Sequence, residues 1–168
     1  NQKSSLKIKS VGLNPRRIGF YKVLKKSGAK IYVKNKKTIN GETVGDLIVK
    51  SSKLRPILSS ARDFPSMVDE FPILFVIAAL TPGISTFKGL EDLKNKESDR
   101  INEMKKIIQK LQVSFIYKRG VVKIKGLQKK NYKDINLKVP NLKDHRICMS
   151  ASILALISGA QTNIKNFE

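Results

Sequence analysis

An α/β domain assembled from tandem β-α-β-α-β-β units is the fold class that this sequence predicts, on three observations. Short strand-like runs alternate with helical stretches along the whole chain. A helix–strand–turn–strand ending closes at Val49 and again at Ile124. The one complete unit occupies about 65 residues, too few to bury a core alone, so neighbouring units must pack together.

The elements follow in order. Leu6 to Val11 alternates apolar and polar residues, as a half-buried strand does. After a turn at Gly12-Leu13, Asn14 is suited to cap a helix with Pro15 at its first position. Phe20, Tyr21, Val23 and Leu24 then give it an apolar face, and Gly28 ends it. Ile31 to Val33 and Leu47 to Val49 are strands joined through the hairpin signal Asn40-Gly41. Ser51 to Ser60 is a connector.

In the second unit, Asp69-Glu70-Phe71-Pro72 opens a helix that runs to Leu80 and is apolar almost all round, which predicts burial. Thr81-Pro82-Gly83 stops it, and Ile84 to Gly89 is a strand. Ser98 is expected to cap the next helix, with Ile101, Met104, Ile107, Ile108 and Leu111 on one face. Val113 to Tyr117 and Val121 to Ile124 form a hairpin about Arg119-Gly120. A third unit starts at Ile135 to Val139 and continues as a helix from Asp144 to Ile157. The units are placed at about residues 6–50, 62–126 and 134–168, the first and last incomplete, within a single domain over 1–168.

The 168 residues suffice for one substantial core, and 40% hydrophobic content argues against disorder. Cys148 is the only cysteine, which excludes an intrachain disulfide and fits a cytoplasmic setting. The apolar run from Ile73 to Leu80 is far too short to span a bilayer. A net charge of +21 points to anionic partners, although lysines dispersed over solvated faces account for most of it. The chain opens on Asn1 and ends in a nascent strand, so both ends read as cuts in a longer protein.

Three expected helix starts carry charged clusters: Asp69-Glu70, Lys96-Glu97-Ser98-Asp99-Arg100 and Asp144-His145-Arg146. Acidic residues there act as ordinary caps. Lys96, Arg100 and Arg146 instead oppose the local dipole unless an anion joins them, as a phosphate or carboxylate would. His145 is the only histidine and stands where an orienting or proton-handling group is useful. Cys148 reads as buried packing.

In this order, five stretches resemble the 5-enolpyruvylshikimate-3-phosphate synthase family of enolpyruvyl transferases. They are Val11 to Gly19, Met67 to Leu74, Gly89 to Leu93, Lys96 to Arg100, and Asp144 to Ser150. The resemblance implies a two-domain enzyme with helices gathered inside sheets, of which this chain is most of the domain that holds the termini. It implies transfer of the enolpyruvyl group of phosphoenolpyruvate to the 5-hydroxyl of shikimate 3-phosphate, in the cytoplasm, without metal or organic cofactor. By similarity, Asp69 binds the sugar hydroxyls and serves as a candidate base, and Glu97 is the proton donor to carbon. Lys96 contacts shikimate 3-phosphate, Arg100 and Arg146 hold phosphoenolpyruvate, His145 supports them, and Asp92 has a minor substrate role. Asp99 and Asp144 are caps or orienters.

Lys94-Asn95 departs from the family's arginine and small apolar residue. The family's early substrate ligands, its second domain and a late lysine are not in this chain, so the isolated chain is expected to be inactive. The expected protein is monomeric, with no membrane or specific nucleic-acid partner. A transferase acting on a UDP-amino sugar is the nearest alternative, but its reactive-cysteine loop has no counterpart here. A basic nucleic-acid-binding module is a further one, disfavoured by 7% aromatics and no tryptophan.

Overall fold

A computed structural model describes residues 3–127, 132–139 and 144–164. Strand β1 (Ser5–Gly12) leads to helix α1 (Gly19–Lys26) and then the hairpin β2 (Lys30–Ile39) and β3 (Glu42–Lys50). Positive φ values at Asn40 and Gly41 make the tight turn that the Asn-Gly pair predicts. The three strands form an antiparallel sheet in the order β1-β3-β2. Both outer strands bulge beside Asp46, at Ser10 and Asn35, each with positive φ. The carboxylate of Asp46 accepts hydrogen bonds from the Ser10 N–H and the Asn35 amide and pairs with Lys7. Together these interactions hold its pKa down to about 2.

Helix α1 starts later than its sequence suggests. The Asn14 side chain accepts from the Arg16 N–H, and its carbonyl accepts from the Arg17 N–H. Asn14-Pro15 therefore builds a turn, and Ile18 precedes the first helical residue. The same chemistry that caps helices also closes such turns. Gly19 lets Ser66 approach that start closely: a Cβ there would stand 2.1 Å from Ser66 Oγ and 3.0 Å from its carbonyl oxygen, so Ser66 would have to shift.

The second unit begins with β4 (Leu58–Ser59), ahead of residue 62, where the sequence places its start. Two residues are too few to show an alternating pattern, so this strand read as connector. After two 3₁₀ turns, Ala61–Ser66 and Val68–Glu70, come α2 (Phe71–Ala79), β5 (Gly83–Lys88), a third 3₁₀ turn (Glu91–Asn95) and α3 (Arg100–Gln109). The hairpin β6 (Ser114–Lys118) and β7 (Val121–Gly126) completes a sheet in the order β4-β5-β7-β6. Only β4 and β5 are parallel in it. The order β5-β7-β6 repeats the order β1-β3-β2, each with one helix before the hairpin.

Strand β8 (Asn136–Val139), helix α4 (His145–Ser158) and strand β9 (Gln161–Ile164) follow, with the two strands parallel. This repeats β4-α2-β5. The expected strand over the chain's last residues is realised as β9, and residues 165–168 lie outside the described ones. Gly159 ends α4 in the left-handed conformation.

Helix α2 is the centre of the molecule, packed against β7, α3 and α4. Its nearly uniform apolar surface demands that position, and Phe71, Leu74, Phe75 and Val76 are fully buried. Phe75 packs edge-on against Phe87 and Phe115, joining the helix to the sheet. On α4, by contrast, Met149, Ile153, Leu156 and Ile157 remain exposed. No helix among the described residues is long and apolar enough to cross a membrane.

Candidate active site

The start of α3 is set by Asp99, whose side chain accepts from the Asn102 N–H at 3.0 Å. Ser98, the cap expected from sequence, is drawn away: its hydroxyl donates to Asp144 at 2.8 Å. Lys96 leaves the preceding 3₁₀ turn in an extended conformation, so Lys96, Glu97 and Ser98 form a connector rather than a helical turn. Arg100 is the first residue of α3, and its side chain is 1% exposed. A buried arginine needs acceptors for its fork of donors. Nε donates to Asp144 at 3.0 Å, Nη1 to Asp69 at 3.1 Å, and Nη2 to Glu97.

Asp69 lies in the 3₁₀ turn ahead of α2 and makes no cap. One of its oxygens accepts from Arg100, and the other accepts from Arg146 Nη2 at 3.1 Å. Asp144 does cap α4, through the Arg146 N–H at 3.1 Å. The three charged segments thus meet in one cluster of two guanidinium groups and three carboxylates. The sequence leaves the cations opposed by the local dipoles; the folded chain supplies Asp69, Glu97 and Asp144 as counter-charges for Arg100 and Arg146 and none of them for Lys96.

The cluster grades from closed to open. Asp144 is fully buried, Arg146 is 30% exposed, Asp69 37% and Glu97 53%. Burial alone raises the Asp144 pKa, but hydrogen bonds from Arg100 and Ser98, with the Arg100 charge, outweigh it and bring it below the usual carboxylate range. Arg100 is likewise penalised by burial, but Asp144 and Asp69 hold its charge in place. Burial raises the pKa of Glu70, with Arg146 opposing and Asp69 adding to the rise.

The Nε of Arg146 is buried without a hydrogen-bond partner. Beside it opens a hollow of about 220 Å³, lined by Asp69, Glu70, Ile73, Arg146, Met149 and Ile153 among others. Lys96, Glu97 and His145 are exposed near the helix starts. Among the described residues, Lys96, His145 and Asp92 have no side-chain hydrogen bond or ion pair to the cluster. Asp92 sits in the first turn of Glu91–Asn95, exposed. Sequence reasoning missed Ser98 as a partner of Asp144, and Glu70 as a shifted carboxyl at the hollow. Their signals were adjacency to Glu97 and to Asp69.

The arrangement gathers two arginines against carboxylates of which two, Asp69 and Glu97, are solvent-accessible; Arg100 is enclosed, and the Arg146 Nε is buried and unpaired. Lys96 and Glu97, adjacent in the chain and both exposed, are residue types suited to anion contact and to proton transfer.

Comparison with known proteins places nearly the whole chain in one family. The family model described as EPSP synthase (3-phosphoshikimate 1-carboxyvinyltransferase) matches residues 2–168. A 3-phosphoshikimate 1-carboxyvinyltransferase of Petrotoga mobilis is 41% identical over 165 residues, 98% of this chain and 38% of that protein. One from Zymomonas mobilis is 41% identical over 157 residues, 92% of this chain and 35% of that protein. Among solved structures, an EPSP synthase from Acinetobacter baumannii superposes with a TM-score of 0.85 at 29% identity, covering 98% of this chain and 38% of its own. The enolpyruvyl transferase NikO from Streptomyces tendae shares the fold, with a TM-score of 0.62 at 14% identity over 97% of this chain and 34% of its own. The chain therefore spans well under half the length of these relatives.

Proposed function

This chain belongs to the EPSP synthase family, and from that membership we propose that it forms one half of a split site for enolpyruvyl transfer. The reaction moves the enolpyruvyl group of phosphoenolpyruvate to the 5-hydroxyl of shikimate 3-phosphate, on the shikimate route to aromatic amino acids. The observation that carries this reading is the meeting of three helix starts around Arg100 and Arg146, with the Arg146 Nε still unpaired.

The chemistry assigns work to each group. The 5-hydroxyl adds to C2 of phosphoenolpyruvate while C3 gains a proton, which gives a tetrahedral adduct. Loss of phosphate and of a C3 proton then regenerates the double bond. Glu97, the most open carboxylate of the cluster, donates the proton to carbon. Asp69 binds the ring hydroxyls and takes the proton of the attacking one. Arg146 and Arg100 hold the carboxylate or phosphate of phosphoenolpyruvate through planar donor pairs. Lys96, next to Glu97, contacts shikimate 3-phosphate, and His145 supports Arg146 from the neighbouring position. Asp92 takes a peripheral substrate role.

Catalysis requires a second domain of the same protein to close the other side of the site. Coverage of 38% of the relatives supports this, as does the exposed apolar face of α4. We read residues 1–168 as a fragment of one domain, acting in a monomeric cytoplasmic enzyme that needs no cofactor. The isolated chain then has no turnover. The test measures phosphate release by the full-length protein from phosphoenolpyruvate with either shikimate 3-phosphate or a UDP-amino sugar. Release with shikimate 3-phosphate alone is expected; release only with the UDP-amino sugar, or robust turnover by the isolated chain, overturns the reading.

A further inference from the structure

Asp144 satisfies three donors with two oxygens. Oδ1 accepts from the Arg146 N–H, which is all that a helix cap requires. Oδ2 accepts from Arg100 Nε at 3.0 Å and from Ser98 Oγ at 2.8 Å. The second oxygen has no role in capping, yet it carries the only fully buried ion pair among the described residues, 1% and 0% exposed. Such a pair is costly to desolvate and is strongly disrupted when one member is removed.

We propose that Asp144, seated by Ser98, is a positioning residue that aims the Arg100 guanidinium and sets its register against Arg146. Nε lies at the root of the planar fork, so fixing it fixes the plane and direction of both terminal nitrogens. Those nitrogens meet Asp69 and Glu97, which are open to solvent and can exchange for an incoming anion. Asp144 cannot exchange, because it is closed off from solvent. The same carboxylate holds the Arg146 backbone through Oδ1, so one buried group spaces both arginine-bearing helix starts. Its depressed pKa keeps it charged throughout the neutral range.

The consequence for substrate rests on the enolpyruvyl-transfer reading, but the arrangement of Arg100 does not. The test therefore has two arms in the full-length protein. Asp144→Ser keeps an efficient cap but cannot serve Arg100. Asp144→Asn keeps one acceptor oxygen for three donors. Ser98→Ala removes one donor and leaves the ion pair. Nitrogen-15 NMR of arginine side chains follows solvent exchange of the Arg100 Nε–H, and steady-state kinetics separates KM for phosphoenolpyruvate from kcat. Both Asp144 variants are expected to speed that exchange and to raise KM by about tenfold, the order seen when partners that orient metal ligands are removed. Ser98→Ala moves both readouts the same way by less, and it decides the matter if an Asp144 variant does not fold. Parental exchange and KM in Asp144→Ser would reduce Asp144 to a cap and overturn the proposal. If the parent protein transfers no enolpyruvyl group, the enzyme reading fails while the exchange arm still judges Asp144.

Discussion

Replacing Arg100 by methionine removes the guanidinium while keeping most of the side chain's length and apolar bulk. The loss divides unequally among its three partners. Asp69 and Glu97 are 37% and 53% exposed and can return to water, so each pair contributes at most about 1 kcal/mol. Asp144 is fully buried and would stand charged and uncompensated, which costs about 3–5 kcal/mol. For a chain of this size that corresponds to a fall in Tm of roughly 6–20 °C. Without the guanidinium, burial is opposed only by the Ser98 and Arg146 N–H hydrogen bonds, so the Asp144 pKa rises relative to the parent. Relative to the parent, a raised pKa costs stability where the carboxylate is ionised, and the cost is relieved as pH falls and Asp144 is protonated in both. In the parent the shift is downward, so its stabilisation is present above the unfolded pKa and is lost as pH falls through the folded one. The gap between variant and parent should therefore be wide at pH 7 and narrow toward pH 3. Adding Asp144→Asn to the methionine variant should recover part of the loss at pH 7. Urea unfolding across that range reads all of this. A variant within 1 kcal/mol of the parent at neutral pH, with no pH dependence in the difference, would refute the buried ion pair.

Other outcomes follow from particular contacts. Gly126→Ala would place a Cβ 1.9 Å from the Thr81 carbonyl oxygen and 2.3 Å from that of Ala78, so backbone must move. Unfolding should show a loss of about 1–3 kcal/mol. Glu70 has a raised pKa, so its charge opposes folding at neutral pH; Glu70→Gln should raise Tm at pH 7 and leave it unchanged below the unfolded carboxyl pKa, as scanning calorimetry at the two pH values would show. Asp99→Ala loses the cap of α3 and should cost about 1 kcal/mol in urea unfolding. Ser98→Ala leaves that cap intact, so its effect should lie in the arginine readouts instead.

Much of the architecture was legible because local signals and tertiary demand agree. Asn40-Gly41 marks its hairpin, the uniformly apolar stretch after Glu70 marks the central helix, and Asp144 marks the start of α4. Where the reading slipped, two uses of the same chemistry competed. Asn14-Pro15 suits a helix start and a turn equally well, and the close approach of Gly19 to Ser66 is a tertiary fact. Ser98 and Asp99 are adjacent and both can cap; the choice falls to Asp99 because Asp144, 46 residues away, claims the Ser98 hydroxyl. The burial of Arg100 was invisible for the same reason. A single sequence places charge on the surface by default, and only the packing of α3 against α4 encloses it.

For the candidate site, the pentapeptide and the Asp144-His145-Arg146 triplet contain four of the five charged residues of the cluster, Glu97, Arg100, Asp144 and Arg146. What they lacked was its internal neutralisation: Asp69 between two arginines, and Asp144 beneath one of them. On the proposed function, an arriving anion would compete with Asp69 and Glu97 for arginine donors, so that binding would exchange partners.

The most direct test of enolpyruvyl transfer at this cluster is turnover of phosphoenolpyruvate and shikimate 3-phosphate in deuterated water by the full-length protein and its Glu97→Gln variant. Addition and elimination through a protonated C3 predict deuterium in the methylene group of the product. They also predict a fall in turnover of about a hundredfold or more when Glu97 can no longer donate a proton. Parental turnover in Glu97→Gln, with parental deuterium incorporation, would contradict the assignment of this residue and of the open side of the cluster to the chemistry.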